Sequence, residues 1–162
     1  MFGVLVFALL FAQPPAQPTV FVFTTTDCPI SNRYAPEIQR LASRFGDTVQ
    51  FKLVYPVPTD DDARIREHVK RFGYAIPWER DSRQALVKKS GVTVTPEVAI
   101  LDAAGTMLYR GRIDDRYITF GKDRPQPTVR DLERSLEAIL AGKPVPVPQT
   151  QAIGCMLSDL VK

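Results

Sequence analysis

Between Thr19 and Tyr55 the sequence reads as strand, corner, helix, strand. Thr19-Val-Phe-Val-Phe-Thr-Thr25 is a β-branched and aromatic run of the buried-strand type. Cys28-Pro29 follows almost at once. Ile30, Tyr34, Ile38, Leu41 and Phe45 then recur at steps of four, four, three and four, one apolar face of a helix that Gly46 ends. Val49-Gln-Phe-Lys-Leu-Val-Tyr55 reads as a second strand, ended by Pro56 and Pro58. Two strands joined through a helix by short links form a βαβ unit, so these strands are expected to be parallel.

The rest of the chain extends this unit. Thr59 to Asp62 offers a cap and three acids for a helix start, with Ile65, Val69 and Phe72 as its buried face. Arg80 to Ser90 is expected to be helical and to end at Gly91. Val98-Ala-Ile-Leu101 is a strand, Asp102 to Gly105 a turn, and Met107 to Ile113 the returning strand of a hairpin. Thr128 to Ala141 is the last helix, with Thr128 and Asp131 as an approximate capping box. The pattern predicts an α/β domain over residues 19–142, a four-stranded mixed sheet with helices on both faces. The full chain of 162 residues suits one domain of ordinary size.

Two segments flank this domain. Residues 1–18 carry no charged side chain, and Val4 to Phe11 is an unbroken apolar run of eight. That is far short of the ~20 residues of a membrane span but fits the core of a secretory signal peptide. An uncleaved apolar segment packed on the domain is the alternative. A signal would place the mature protein in the periplasm or outside the cell, where disulfides persist. Residues 143–162 begin as Lys-Pro-Val-Pro-Val-Pro, a stiff extended arm that leads to Ile153-Gly154-Cys155. From Pro144 an extended arm spans ~34 Å, about the width of the domain, so Cys155 can return to Cys28.

Composition excludes several functions. Lys and Arg number 21 against 18 Asp and Glu, a net charge of +3 without a basic block, so no nucleic-acid partner is expected. Two cysteines and one histidine cannot complete a four-ligand structural zinc site without help from carboxylates, and no nucleotide or phosphate loop is present. No metal or cofactor is therefore assigned.

Cys28 is the main chemical candidate. It follows a buried strand and opens a helix, where free backbone N–H groups favour a thiolate, the nucleophile of disulfide exchange and peroxide reduction. Asp27 opposes this by its charge. Ser31 stands where a second cysteine of a Cys-x-x-Cys pair would be; its hydroxyl either bonds the thiolate or caps the helix. Three readings of Cys155 are open. It resolves an oxidised Cys28, staples the fold through a permanent disulfide, or remains a free or intermolecular thiol. His68 is read as a surface or boundary residue, Asp114 and Asp115 as acceptors for loop N–H groups, and Trp78 as packing.

The strand-Cys-Pro-helix corner, together with Val94-Thr95-Pro96-Glu97 entering the hairpin, resembles the thioredoxin superfamily. The resemblance covers about residues 19 to 155. It implies that Pro96 is a cis proline facing Cys28 and that Thr95 is presented to substrate. More narrowly, Asp27-Cys-Pro-Ile-Ser-Asn-Arg-Tyr34 with Tyr109-Arg-Gly-Arg-Ile-Asp-Asp115 is similar to bacterial redoxins of the alkyl hydroperoxide reductase and thiol-specific antioxidant group. Thr25 fits the threonine of the peroxiredoxin pattern, while Phe21 stands where that pattern has proline. Arg110 and Arg112, two apart and so expected on one side of the strand, fall in the region of the peroxiredoxin arginine, with Arg112 taken as the supporting residue; the alternative is a solvent-facing pair.

This resemblance implies an exported thiol–disulfide oxidoreductase or peroxiredoxin-like protein. Cys28 would attack a protein disulfide or small peroxide, Cys155 would resolve the product, and an external thiol would supply electrons. The alternatives are a binding or assembly module with a structural Cys28–Cys155 bond, and copper delivery through the two cysteines and His68. The closely spaced cysteine pair of copper-delivery proteins is missing here.

Overall fold

A computed structural model describes residues 17–160. The expected signal segment therefore lies, up to residue 16, outside the described residues. In chain order the elements are β1 (Thr19–Phe23), α1 (Pro29–Arg33), α2 (Ala35–Phe45), β2 (Gln50–Tyr55) and α3 (Asp62–Phe72). They continue with β3 (Trp78–Arg80), α4 (Ala85–Ser90), β4 (Val94–Thr95), β5 (Glu97–Leu101) and β6 (Met107–Gly111). The last are β7 (Tyr117–Thr119), β8 (Lys122–Asp123), α5 (Asp131–Leu140), β9 (Cys155–Met156) and α6 (Leu157–Leu160).

The main sheet has the order β3-β2-β1-β5-β6. β1 and β2 are parallel, as the βαβ reading requires, while β5 runs antiparallel to both β1 and β6. The sheet has five strands rather than the expected four. The fifth, β3, is three residues that pair in parallel with Leu53–Tyr55. Trp78 holds this edge by standing edge-on to Tyr55, ring centroids 6.4 Å apart. So short a strand after Pro77 leaves no periodic trace in the sequence.

Three helix boundaries also differ from expectation. The stripe from Ile30 to Phe45 is two helices, because Pro36 lies in the first turn of α2 and interrupts the backbone at Tyr34. The helix expected from Arg80 starts only at Ala85. Arg80 belongs to β3, and the Asp81 carboxylate accepts from the N–H groups of Ala85, Leu86 and Val87. The Thr128–Asp131 capping box does not form. Asp115 instead accepts from the backbone N–H groups of Thr128 and Val129 and from the Thr128 hydroxyl, and α5 begins at Asp131.

Apolar residues cover both faces of the sheet. Val20, Val22, Leu53, Tyr55, Val98 and Ile100 face α2, α3 and α5, with Ile38, Leu41, Ile65, Leu132 and Leu136 opposite. Phe23, Val54, Ala99 and Leu101 face Val57, Val92 and Leu157. A strand buried on both faces needs no polar alternation, which is why Val20–Phe23 and Leu53–Tyr55 read as apolar runs, while Gln50 and Lys52 mark the less buried start of β2. Leu136 is fully buried. Leu136→Ala is expected to cost about 2–5 kcal/mol, read from the shift of a denaturant midpoint at unchanged slope.

Candidate functional site: a buried thiol pair under the C-terminal arm

β1 delivers Cys28 to the N-cap position of α1, after a turn that begins at Thr24. That turn is pinned from below by Asp60. Its buried carboxylate accepts from the Thr25 hydroxyl (2.7 Å), the Thr26 hydroxyl (2.6 Å) and the Thr26 N–H (3.2 Å). Arg64, in the first turn of α3, reaches Asp27 at 2.6 Å and so offsets the charge that opposes a Cys28 thiolate. Asn32 donates to the Thr26 carbonyl and accepts from His68 Nε2 at 2.7 Å. This tautomer leaves His68 Nδ1 to accept from the Tyr55 hydroxyl at 2.8 Å. His68 is thus buried rather than at the surface or boundary as expected, and burial holds its pKa below the ordinary value.

β4 supplies the opposite wall. The Thr95–Pro96 peptide is cis, and the Cys28 Sγ–H donates to the Thr95 carbonyl at 3.2 Å. The Thr95 hydroxyl is buried without a partner.

The C-terminal arm supplies the second sulfur. Its proline stretch does not swing free. The Arg110 N–H donates to the Pro148 carbonyl, and the Thr150 N–H donates to the Arg110 carbonyl, which stitches the arm along the open edge of β6. The Thr150 hydroxyl also bonds the Tyr109 hydroxyl and accepts from the Arg112 N–H. Gly111, at φ +147°, makes this approach possible, since a Cβ there would lie 2.2 Å from the Thr150 hydroxyl.

Farther on, Gly154 passes under the Thr95 carbonyl, where a Cβ would come within 2.2 Å. β9 then pairs antiparallel with β4, Cys155 opposite Thr95 and Met156 opposite Val94. The Leu157 N–H donates to the Thr93 carbonyl, and its side chain is buried in the second core. Cys155 Sγ ends 2.7 Å from Cys28 Sγ, across 127 positions of sequence. A disulfide bond of ~2.05 Å requires a shift of less than about 1 Å from there.

The two thiols are electrostatically unequal. Burial pushes Cys28 up, but hydrogen bonding from Cys155 and then from Ser31 outweighs it, so its pKa falls below the ordinary thiol value. Ser31 does not cap α1. Its hydroxyl is buried and unpartnered beside the neutral thiol, free to turn toward a thiolate. Burial also raises Cys155, and its bond to Cys28 and the charge there push it up to about 12. The two thiols therefore titrate as a coupled pair, Cys28 before Cys155. Ultraviolet thiolate absorbance of the reduced protein is expected to rise in two separate steps. One lies below the ordinary cysteine range and the other near pH 12. A single step of both thiols together would contradict this geometry.

Thr25 and Arg112 make their hydrogen bonds to carboxylates rather than to either sulfur. Thr25 is held by Asp60, and Arg112 forms an ion pair with Asp131 at 2.7 Å. Arg110 turns instead to the Gly91 carbonyl at 2.7 Å. The two arginines reach different elements because Gly111 breaks the alternation between them. Asp114 accepts from the Tyr34 hydroxyl and the Arg116 N–H, a structural role. The sequence reading missed Asp60, Arg64 and Asn32. Asp60 sits in the acidic triplet read as a helix start, and of its three members only Asp61 is the cap.

A groove of about 970 Å³ opens beside Cys155, between the arm and the β4–β5 corner. Glu97 lies at its base, buried, accepting from the Thr93 N–H at 2.8 Å, with Arg110 at 3.9 Å. Phe120, 72% exposed, and Met156, 48% exposed, stand along it. Among the described residues no helix is long and apolar enough to cross a membrane.

No curated protein matches the chain in sequence. An uncharacterised conserved protein from Geobacillus kaustophilus is 27% identical over 88% of this chain and 77% of its own, with a TM-score of 0.77. A hypothetical protein from Sinorhizobium meliloti is 26% identical over 88% of this chain and 80% of its own, with a TM-score of 0.75. A secreted disulfide oxidoreductase from Mycobacterium tuberculosis shares the fold at 19% identity and a TM-score of 0.53, over 75% of this chain and 81% of its own. The thioredoxin-like family model matches residues 16–107, from just before β1 to the start of β6. On that match, and on the sheet order and the Cys28–Pro96 corner it spans, the chain belongs to the thioredoxin-like family.

Proposed function

We propose that this protein is an exported thiol–disulfide oxidoreductase whose working couple is Cys28 and Cys155. The observation that carries the reading is the 2.7 Å approach of the two sulfurs. A second strand and a second loop hold them there with unequal affinity for the proton. In the reduced state Cys28 is the sulfur that gives up its proton first and Cys155 the one that keeps it. In the oxidised state the two form a disulfide. Stabilising the Cys28 thiolate favours the reduced form, which makes the couple more oxidising.

Disulfide exchange is favoured over peroxide reduction by two contacts. The peroxidase-like threonine, Thr25, bonds Asp60, and Arg112 bonds Asp131, so neither is free to hold a peroxide at Cys28. Export is supported by the apolar run Val4 to Phe11 and by the secreted mycobacterial neighbour. A second reading, a structural staple, is favoured by the burial of Cys28, which is 2% exposed.

One titration separates the two. The protein is equilibrated in glutathione buffers, alkylated, and its free thiols counted by mass. The expected result is a cooperative change of two thiols within the range glutathione can reach. A bond that resists glutathione and yields only below about −300 mV marks a staple and defeats the redox reading.

A further inference from the structure

We propose that external thiols exchange with this pair at Cys155, entering by the groove beside Phe120, Arg110 and Glu97, while Cys28 stays in the interior as the leaving and re-entering sulfur. The inference rests on the proposed redox couple and assigns the sulfurs roles opposite to those expected from sequence.

The argument starts from access. Cys28 is 2% exposed and closed in by α1 below, the Thr95 carbonyl beside it and Cys155 above. Cys155 is half-buried and forms part of the groove wall. Displacement at a disulfide requires the attacking thiolate to approach one sulfur from the side opposite the other. With Cys28 inside and Cys155 outside, the open approach leads through the groove to Cys155. The β4 edge beside Cys28 is already taken, because β9 pairs with Val94 and Thr95. An incoming chain cannot pair there while the arm is in place.

Leaving-group chemistry points the same way. A thiol of lower pKa departs faster, and of the two sulfurs it is Cys28 whose thiolate is stabilised. In the first step an external thiolate bonds to Cys155 Sγ, the Cys28–Cys155 bond breaks, and Cys28 leaves as thiolate. In the second step another external thiolate attacks the external sulfur of that mixed disulfide. The external disulfide departs, and Cys155 leaves as thiolate and takes a proton. Two thiols become one disulfide, and two electrons enter the pair.

The groove is of a size to admit such a reactant. Its volume lies at the upper end of the ~300–1,000 Å³ common for small-molecule sites. Exposed Phe120 and Met156 give it apolar sides, and Arg110 and Glu97 place both charges at its base. A thiol carried on a short peptide, with both backbone polarity and side-chain bulk, suits that lining.

The test uses the full-length oxidised protein and reduced glutathione as the peptide thiol. The mixture is quenched in acid at short times, alkylated under denaturing conditions, and mapped by mass. Glutathione is expected on the Cys155 peptide with the alkylating agent on Cys28, in at least about tenfold excess over the reverse. Glutathione found mainly on Cys28 overturns this assignment and leaves the redox couple standing. Failure of the starting protein to form a Cys28–Cys155 disulfide overturns the redox reading, and this inference with it. A second measurement uses 2-mercaptoethanol, which cannot use the groove walls. Phe120→Ala is expected to slow reduction by glutathione several-fold, with little change for 2-mercaptoethanol and none in the midpoint potential. Equal slowing of both thiols removes the groove from the proposal.

Discussion

The Gly154→Ala variant is expected to lose the Cys28–Cys155 couple while keeping the domain folded. A Cβ at this position would lie 2.2 Å from the Thr95 carbonyl oxygen and 3.1 Å from the Pro96 nitrogen, both backbone atoms that cannot rotate aside. The strand β9 must therefore lift from β4. The Cys155–Thr95 pairing is lost, and the sulfurs move beyond bonding distance, since a disulfide tolerates little departure from its Cβ separation. The core of β1, β2, β5 and the helices does not depend on this contact, so the cost in global stability is about 1–3 kcal/mol. Thiol counting after mild oxidation should find two free thiols, or intermolecular dimers, where the parent protein shows none. An intact intramolecular disulfide in the variant would refute this account of the arm.

Cys28→Ser is expected to abolish two-electron exchange altogether. Serine is close to cysteine in volume and can still donate to the Thr95 carbonyl, so the fold and its reduced-state stability should be retained. What disappears is the thiolate that leaves when the disulfide opens and attacks when it closes. Exchange with glutathione disulfide should then stop at a single adduct on Cys155, with no second electron transferred. Turnover equal to the parent protein would remove Cys28 from the chemistry.

The parts of this architecture that can be read in the sequence are those whose signal is local. β1 and β2 announce themselves because burial on both faces makes Val20–Phe23 and Leu53–Tyr55 apolar, and the Cys28-Pro29 corner because it follows so closely on the first of them. β3 is invisible by the same logic: three residues pair at an edge, and only Trp78 is apolar among them. Tyr34 carries the helical spacing across a break that Pro36 imposes, so the period stays correct where the helix does not. The site divides in the same way. Cys28 is legible from its place after a strand. Asp60 is not, because nothing in Asp60-Asp-Asp62 says which carboxylate turns inward to hold Thr25 and Thr26. Proline and valine in alternation declare the arm extended, but not the edge it follows. Gly111 and Gly154 are required by backbone that arrives from distant parts of the chain, Thr150 at one and Thr95 at the other. Thr25 and Arg112 show the opposite failure. Each fits a family position in sequence, and each is bonded elsewhere in space.

Cys28 and Cys155 are 127 positions apart, so a bond between them encloses most of the folded domain in one covalent ring. Closing a ring of that length deprives the unfolded chain of conformations worth about 5 kcal/mol, while the native chain, already stitched at Thr150 and Leu157, loses almost nothing. Because a thermodynamic cycle links folding and oxidation, the same quantity must appear in both. Whatever the bond adds to resistance against heat, folding adds to the bond's resistance against reduction. On the proposed couple, reduction is therefore expected to lower the melting temperature of this protein.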